Sequence, residues 1–174
     1  IGGFLSVEEA MSGFSNPAVI IISLLFILSH ALQKTRILEY LIVRINQLVS
    51  RSRSLGLGVY LLTIAFASAL MNNTAIVAIF MPVTIRLAHR YRMSPSKLLI
   101  PLSYAAIMGG TLTLVGTSTN LIVNSIYINN DGQPLGMFEF AKFGWITLTI
   151  GSIYLVSIAP KSLPTRTVTS SINQ

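Results

Sequence analysis

The chain has no cysteine, so disulfides, thiolate metal sites and cysteine nucleophiles are excluded at once. Charge is nearly as scarce. Only 10% of the 174 residues are charged, and acids are the rarer sign, 5 against 12 Lys and Arg. Glu8, Glu9, Glu39, Asp131 and Glu139 all lie outside the long apolar runs. A carboxylate proton relay within those runs therefore has no residues to run on. No paired nucleophile and base is visible, and the chain is not expected to be an enzyme.

What is abundant is apolar: 52% of residues are hydrophobic and the mean hydropathy is +0.71. That exceeds the range of soluble globular domains and predicts an all-α integral membrane protein. The net charge of +7 does not indicate nucleic acid, because Lys and Arg sit in short clusters between apolar runs and form no basic face. Residues 1–15 lack a basic n-region, so a signal peptide is not expected. The start at Ile1 and the polar run 165–174 read as a piece of a longer polypeptide.

The first apolar run, 16–32, opens with Ser15 or Asn16 as an N-cap and Pro17 in the first turn. At ~1.5 Å per residue it just reaches across a ~30 Å hydrocarbon core. Residues 37–50 space their apolar side chains helically around Glu39, Arg44, Asn46 and Gln47, the pattern of an interfacial helix. From 55 to 87 the chain is apolar again, except for Asn72-Asn73-Thr74 near the middle. A continuous helix there would measure ~50 Å, too long to cross at ordinary tilt. Residues 98–129 repeat the design, broken by Gly109, Gly110 and Gly116. A last span is expected over 140–158, with Trp145 and Tyr154 as interfacial anchors.

Charge then predicts topology. Basic residues flank both ends of the 55–87 run, so both ends are placed in the cytoplasm and the run enters and leaves on one side. It is expected to be a re-entrant helical hairpin with its tip at Asn72 to Thr74. A hairpin whose arms cross fully has the same sidedness. Residues 98–129 then cross to an external loop, and the last span returns. On this path all of the 12 basic residues but Lys142 are inside. The N-terminus is outside, the C-terminus cytoplasmic, in the plasma or inner membrane.

Backbone that leaves a helix within a bilayer is tolerated only when buried in protein or lining a polar cavity. Two such breaks indicate a site. Half-helix N-termini offer positive dipole ends to an anion, while unwound carbonyls and short polar side chains coordinate Na⁺. Asn72, Asn73 and Thr74 supply oxygens at one break, Thr117, Ser118, Thr119 and Asn120 at the other, and Gly109-Gly110 would let the breaks approach closely. Na⁺ suits such an all-oxygen set. The competing reading of Asn72-Asn73-Thr74 is interhelical hydrogen bonding within a bundle. The glycine-rich stretch lacks the lysine of a P-loop. His30 and His89 read as interfacial residues at basic membrane surfaces.

"MNNTAIVAIFMPV" resembles the first Ser-Asn-Thr hairpin motif of divalent-anion:sodium symporters, and "YAAIMGGTLTLVGTSTNLIVN" resembles the glycine-rich segment that follows it. "GFSNPAVI", "LSHALQKTRILEYL", "GMFEFAKFG" and "APKSLPTR" are also similar, most of all to bacterial-type permeases with TrkA-C domains in a cytosolic insertion. These belong to a superfamily that includes citrate transporters and arsenite permeases. The resemblance implies an elevator-type secondary transporter, a homodimer built from two inverted repeats, with residues 1–164 as the first repeat and 165–174 as a polar tail or linker. Carried over by motif position, Asn72, Asn73, Thr74, Gly116, Thr117 and Asn120 are implied Na⁺ ligands, and Asn73, Thr74, Ser118, Thr119 and Asn120 implied substrate ligands. Asn72 replaces the Ser of the motif, and Ser118-Thr119 replaces a frequent proline pair. These departures set sulfate beside di- and tricarboxylates such as citrate as the expected anion. An arsenite or Na⁺/H⁺ exchanger is the alternative within the superfamily. A non-transporting membrane scaffold or sensor is the alternative of another class.

Overall fold

The computed structural model describes residues 6–35, residue 40 and residues 53–164. Among these residues the order of helices is α1 (Val7–Ser12), a 3₁₀ turn (Gly13–Ser15), α2 (Pro17–Lys34), α3 (Arg53–Ser68), α4 (Asn73–Arg90), α5 (Ser96–Gly110), α6 (Ser118–Asn129), α7 (Ala141–Ser157) and α8 (Ala159–Ser162). No strand is formed among them. The interfacial helix expected over 37–50 lies outside the described residues apart from Tyr40, which is helical and exposed. The tail 165–174 also lies outside them.

Local chemistry sets the helix ends. Asn16 caps α2, its Oδ1 accepting the Ala18 N–H at 2.8 Å, and Pro17 takes the first position, where its missing N–H costs nothing. Helix α4 closes at Arg92, whose φ of 52° lets Met93 N–H return to the Ala88 carbonyl at 2.9 Å. Pro95 then starts α5.

The 55–87 run is two helices, as its length requires, but the irregular residues differ from those expected. The chain leaves the helix over 69–72, and Asn73 and Thr74 already belong to α4. The reason is that Asn72 acts as the N-cap, its Oδ1 accepting from Thr74 N–H at 2.9 Å. Helix α4 folds back on α3, bringing the Tyr60 hydroxyl within 2.7 Å of Thr84 Oγ1 and the Tyr60 ring against Phe80.

Helix α5 is the centre of the core, packed on α3, α4 and α7. It meets α3 along a seam of small residues: Ala65, Ala69, Ala105 and Ala106 are buried, and a Cβ on Gly109 would fall inside the backbone of Ala65. Small residues let two backbones approach this closely. Helix α7 lies antiparallel to α5, since Gly151 accommodates Met108 and Gly144 lies on Thr111 and Leu112. Helix α2 is more peripheral. It touches α4 and α6, with Asn16 bonded to Ser125 at 2.8 Å, and presents Ile20, Leu24, Phe26, Ile27 and Leu28 outward.

None of these helices is long and apolar enough to cross a membrane by itself among the described residues. The 18 residues of α2 and the 17 of α7 would extend only ~27 Å and ~26 Å. The longer apolar runs are cut at 69–72 and 111–117.

Candidate functional site

The two breaks come together. At the first, α3 ends with Ala69 N–H on the Ala65 carbonyl at 3.0 Å and a tightened turn from Leu70 N–H to the Ala67 carbonyl at 3.2 Å. The last residue of α3, Ser68, is completely buried and donates its hydroxyl to Asn73 Oδ1 at 2.6 Å. That bond ties the end of one helix to the first residue of the next.

At the second break, α5 stops at Gly110 and α6 resumes at Ser118. Thr113, 2% exposed, donates its hydroxyl to the Ala69 carbonyl of the first break and accepts from Gly116 N–H at 2.9 Å. Asn120 reaches back from α6, its Nδ2 donating to the Thr113 carbonyl at 2.9 Å and to the Gly110 carbonyl at 3.4 Å. The next segment adds a brace, because Leu114 N–H donates to the Met137 carbonyl at 2.8 Å.

Gly110 makes the contact between breaks possible, and Gly116 the tight closure of the second break. A Cβ on Gly110 would fall 2.7 Å from Asn73 Oδ1 and 3.1 Å from the Gly116 carbonyl oxygen. A Cβ on Gly116 would fall 2.6 Å from the Gly110 carbonyl oxygen. Where side chains are absent, Asn73 Oδ1 and the Gly116 carbonyl close on Gly110, and the Gly110 carbonyl closes on Gly116, with the Ser68 hydroxyl bonded to Asn73. All are uncharged oxygen donors, a set matched to a hard cation and lacking any feature that selects a transition metal. Among the described residues no cluster of three or more His, Cys, Asp or Glu could hold a metal ion.

The N-termini of α4 and α6 flank the same region, Asn72 and Ser118 lining a small cavity with Ile22, Leu25, Val115 and Leu121. Its volume of about 10 Å³ is the size of a single water site, too small to enclose an anion. The positive ends of the two helix dipoles lie at its rim. Of the residues singled out from the sequence, Asn73, Gly116 and Asn120 meet around Gly110, and Asn72 and Ser118 share the small cavity. Thr117 is the α6 N-cap without a side-chain capping bond, and Thr74 and Thr119 are exposed. Asn72 and Asn120 each spend part of their side chain on backbone groups of the broken segments.

Sequence reasoning passed over Ser68 and Thr113. Ser68 had a readable signal, a hydroxyl in the last turn before the polar break. Thr113 had its place three residues after Gly110 in the glycine-rich segment, but not its partner, which lies 44 residues away.

The sequence matches the family described as Citrate transporter over residues 1–170. The chain belongs to the citrate transporter family. It is 41% identical to an uncharacterized transporter of Synechocystis over 94% of this chain and 27% of that protein. It is 31% identical to probable sodium/sulfate cotransporter 3 of Chlamydomonas reinhardtii, over 89% of this chain and 18% of that one. With the sodium-dependent dicarboxylate transporter of Staphylococcus aureus the identity is 25%, over 90% and 32%. The chain thus spans less than a third of the length of each of these relatives. No solved structure matches it. The citrate transporter family and these relatives agree with the resemblance to divalent-anion:sodium symporters. They place the chain in a family of integral membrane transporters, and not among enzymes.

Proposed function

We propose that this citrate transporter family chain is the first of two inverted repeats in a Na⁺-coupled uptake transporter for a divalent anion, sulfate or a di- or tricarboxylate such as citrate. The observation that carries the reading is the meeting of the two helix breaks on one cluster of oxygens around Gly110. Such irregular backbone persists at membrane depth only where it is buried in protein or lines a polar cavity, and here it gathers oxygens. Na⁺ is assigned to Asn73 Oδ1, the Gly110 and Gly116 carbonyls and the Ser68 hydroxyl, with Asn72, Thr74, Thr117 and Asn120 bordering it. The anion is assigned to the N-termini of α4 and α6, through Asn73, Thr74, Ser118, Thr119 and Asn120. The exposure of Thr74 and Thr119 leaves them open to the portion of the site that the second repeat would complete. There is no basic side chain at either break, so N–H groups, hydroxyls and the bound Na⁺ supply the attraction for the anion.

In this reading α3 and α4 re-enter from the cytoplasm, the N-terminus lies outside, and residues 165–174 lead into the cytosol. The whole protein is a plasma or inner membrane homodimer of elevator type, and TrkA-C domains belong to its cytosolic insertion. The names of two relatives support sodium as the coupling ion and sulfate or dicarboxylate as the cargo.

Uptake of labelled sulfate, succinate and citrate by the full-length protein, with Na⁺ replaced by choline, tests the reading. Uptake of one of the three is expected to collapse in choline. Undiminished uptake of every transported anion would sink Na⁺ coupling.

A further inference from the structure

Thr113 lies outside the set of ligands, yet its hydroxyl joins the two segments that carry them. A hydroxyl has one proton to give, the Ala69 carbonyl can only accept, and the Gly116 N–H can only donate. The direction of both bonds is therefore fixed without ambiguity. The first bond orients the Ala69–Leu70 peptide at the start of the turn that delivers Asn73. The second orients the Val115–Gly116 peptide immediately before the Gly116 carbonyl. At 2% exposure Thr113 has no water to replace either partner. Its own carbonyl holds Asn120, so the same residue also anchors the first turn of α6.

We propose that Thr113 is a positioning residue that keeps the two breaks in register and thereby sets the affinity of the site for Na⁺. The proposal rests on the assignment of Na⁺ to Asn73 and Gly116 made above. Without the hydroxyl, the Ala69 carbonyl and the Gly116 N–H are left buried and unpaired, and each turn relaxes toward other partners. The ligand oxygens of one break then drift relative to those of the other, although no ligand has been removed. Residues that orient metal ligands in this way typically change affinity by roughly 10- to 100-fold when substituted.

The test uses the full-length protein with Thr113→Val and Thr113→Ser. Valine keeps the shape of threonine without the hydroxyl, and serine keeps the hydroxyl without the methyl. Two readouts are taken: Na⁺ half-saturation of uptake against maximal rate, and the rise in melting temperature of purified protein on exchange of choline chloride for NaCl. Thr113→Val is expected to raise the Na⁺ half-saturation about tenfold or more while the maximal rate at saturating Na⁺ is largely kept. Thr113→Ser is expected to return both readouts close to those of the unsubstituted protein. A Thr113→Val protein with unchanged Na⁺ half-saturation overturns the proposal, as does a Thr113→Ser protein shifted as far as the valine variant. If valine prevents folding, Thr113→Ala takes its place as the hydroxyl-free variant, with the same rise in Na⁺ half-saturation expected and an unchanged value overturning the proposal. If the unsubstituted protein shows neither Na⁺-dependent uptake nor Na⁺ stabilisation, the functional reading fails and this assignment fails with it. If both are present and Thr113→Val leaves them unmoved, only this assignment fails.

Discussion

At the scale of single residues, neighbouring positions have different work to do, and substitutions should separate them. Asn73 is assigned as a ligand, so Asn73→Ala is predicted to raise the Na⁺ requirement for uptake. An unchanged Na⁺ dependence would make the tip structural. Gly110 has a different role, because its absent side chain leaves the space that Asn73 Oδ1 occupies. Gly110→Ala should displace the Asn73 amide, leave the buried Ser68 hydroxyl without its acceptor, and lower stability by about 1–3 kcal/mol. It should also remove stabilisation by NaCl, read as the loss of the Na⁺-dependent melting shift. Tyr60 provides the contrast. Its hydroxyl bonds Thr84 far along the two arms from the tip, while Thr84 also donates to the Phe80 carbonyl at 2.8 Å. Tyr60→Phe is predicted to cost about 0.5–1.5 kcal/mol and to leave the Na⁺ dependence of the remaining folded protein unchanged.

At the scale of elements, the decisive contact is the crossing of α3 and α5. Ala65, Ala69, Ala105 and Ala106 make it close, and Gly109 makes it closer. Enlarging Gly109 to leucine has no conformational escape, since the obstacle is the Ala65 backbone and not a flexible side chain. The helices must separate. Gly109→Leu is therefore predicted to lower the melting temperature well beyond the effect of Gly110→Ala and, by drawing Asn73 away from Gly110, to abolish the NaCl-dependent rise as well. Equal melting temperatures for the two variants would contradict this account of the crossing. Much of the element pattern was legible in the sequence. Asn16-Pro17, Asn72 and Gly110 mark helix boundaries by elementary capping and backbone chemistry, and the apolar run from 55 to 87 was too long to be one helix. The position of the break was less legible. An Asn pair inside an apolar run signals a break, yet whether an Asn caps a helix or leaves it depends on a single side-chain bond, here from Asn72 to Thr74.

At the scale of the whole molecule, the cysteine-free chain invites a labelling test of topology. Single cysteines at Gln133 and at Arg92, in an otherwise cysteine-free full-length protein, should differ toward a membrane-impermeant maleimide in intact cells. Gln133 is expected to be labelled from outside, and Arg92 only after permeabilisation. Labelling of both from outside would remove the re-entrant arrangement of α3 and α4. The exposed apolar faces of α2 and α7 belong to this scale as well. If the chain is one repeat of a larger transporter, as proposed, they are surfaces for lipid or for the rest of that protein.

By itself the sequence determined the class of environment, the all-helical architecture and the presence of two interruptions, because hydropathy, glycine and capping residues act locally. It also determined the kind of donor available, oxygen without charge or thiol. Only the tertiary structure decided which donors meet. The Ala69 carbonyl finds the Thr113 hydroxyl across 44 residues, and Asn73 fits against Gly110 because α3 and α5 cross on small side chains. Spacing along the chain carries no record of that crossing. The packing of one helix against another brings the two breaks into contact.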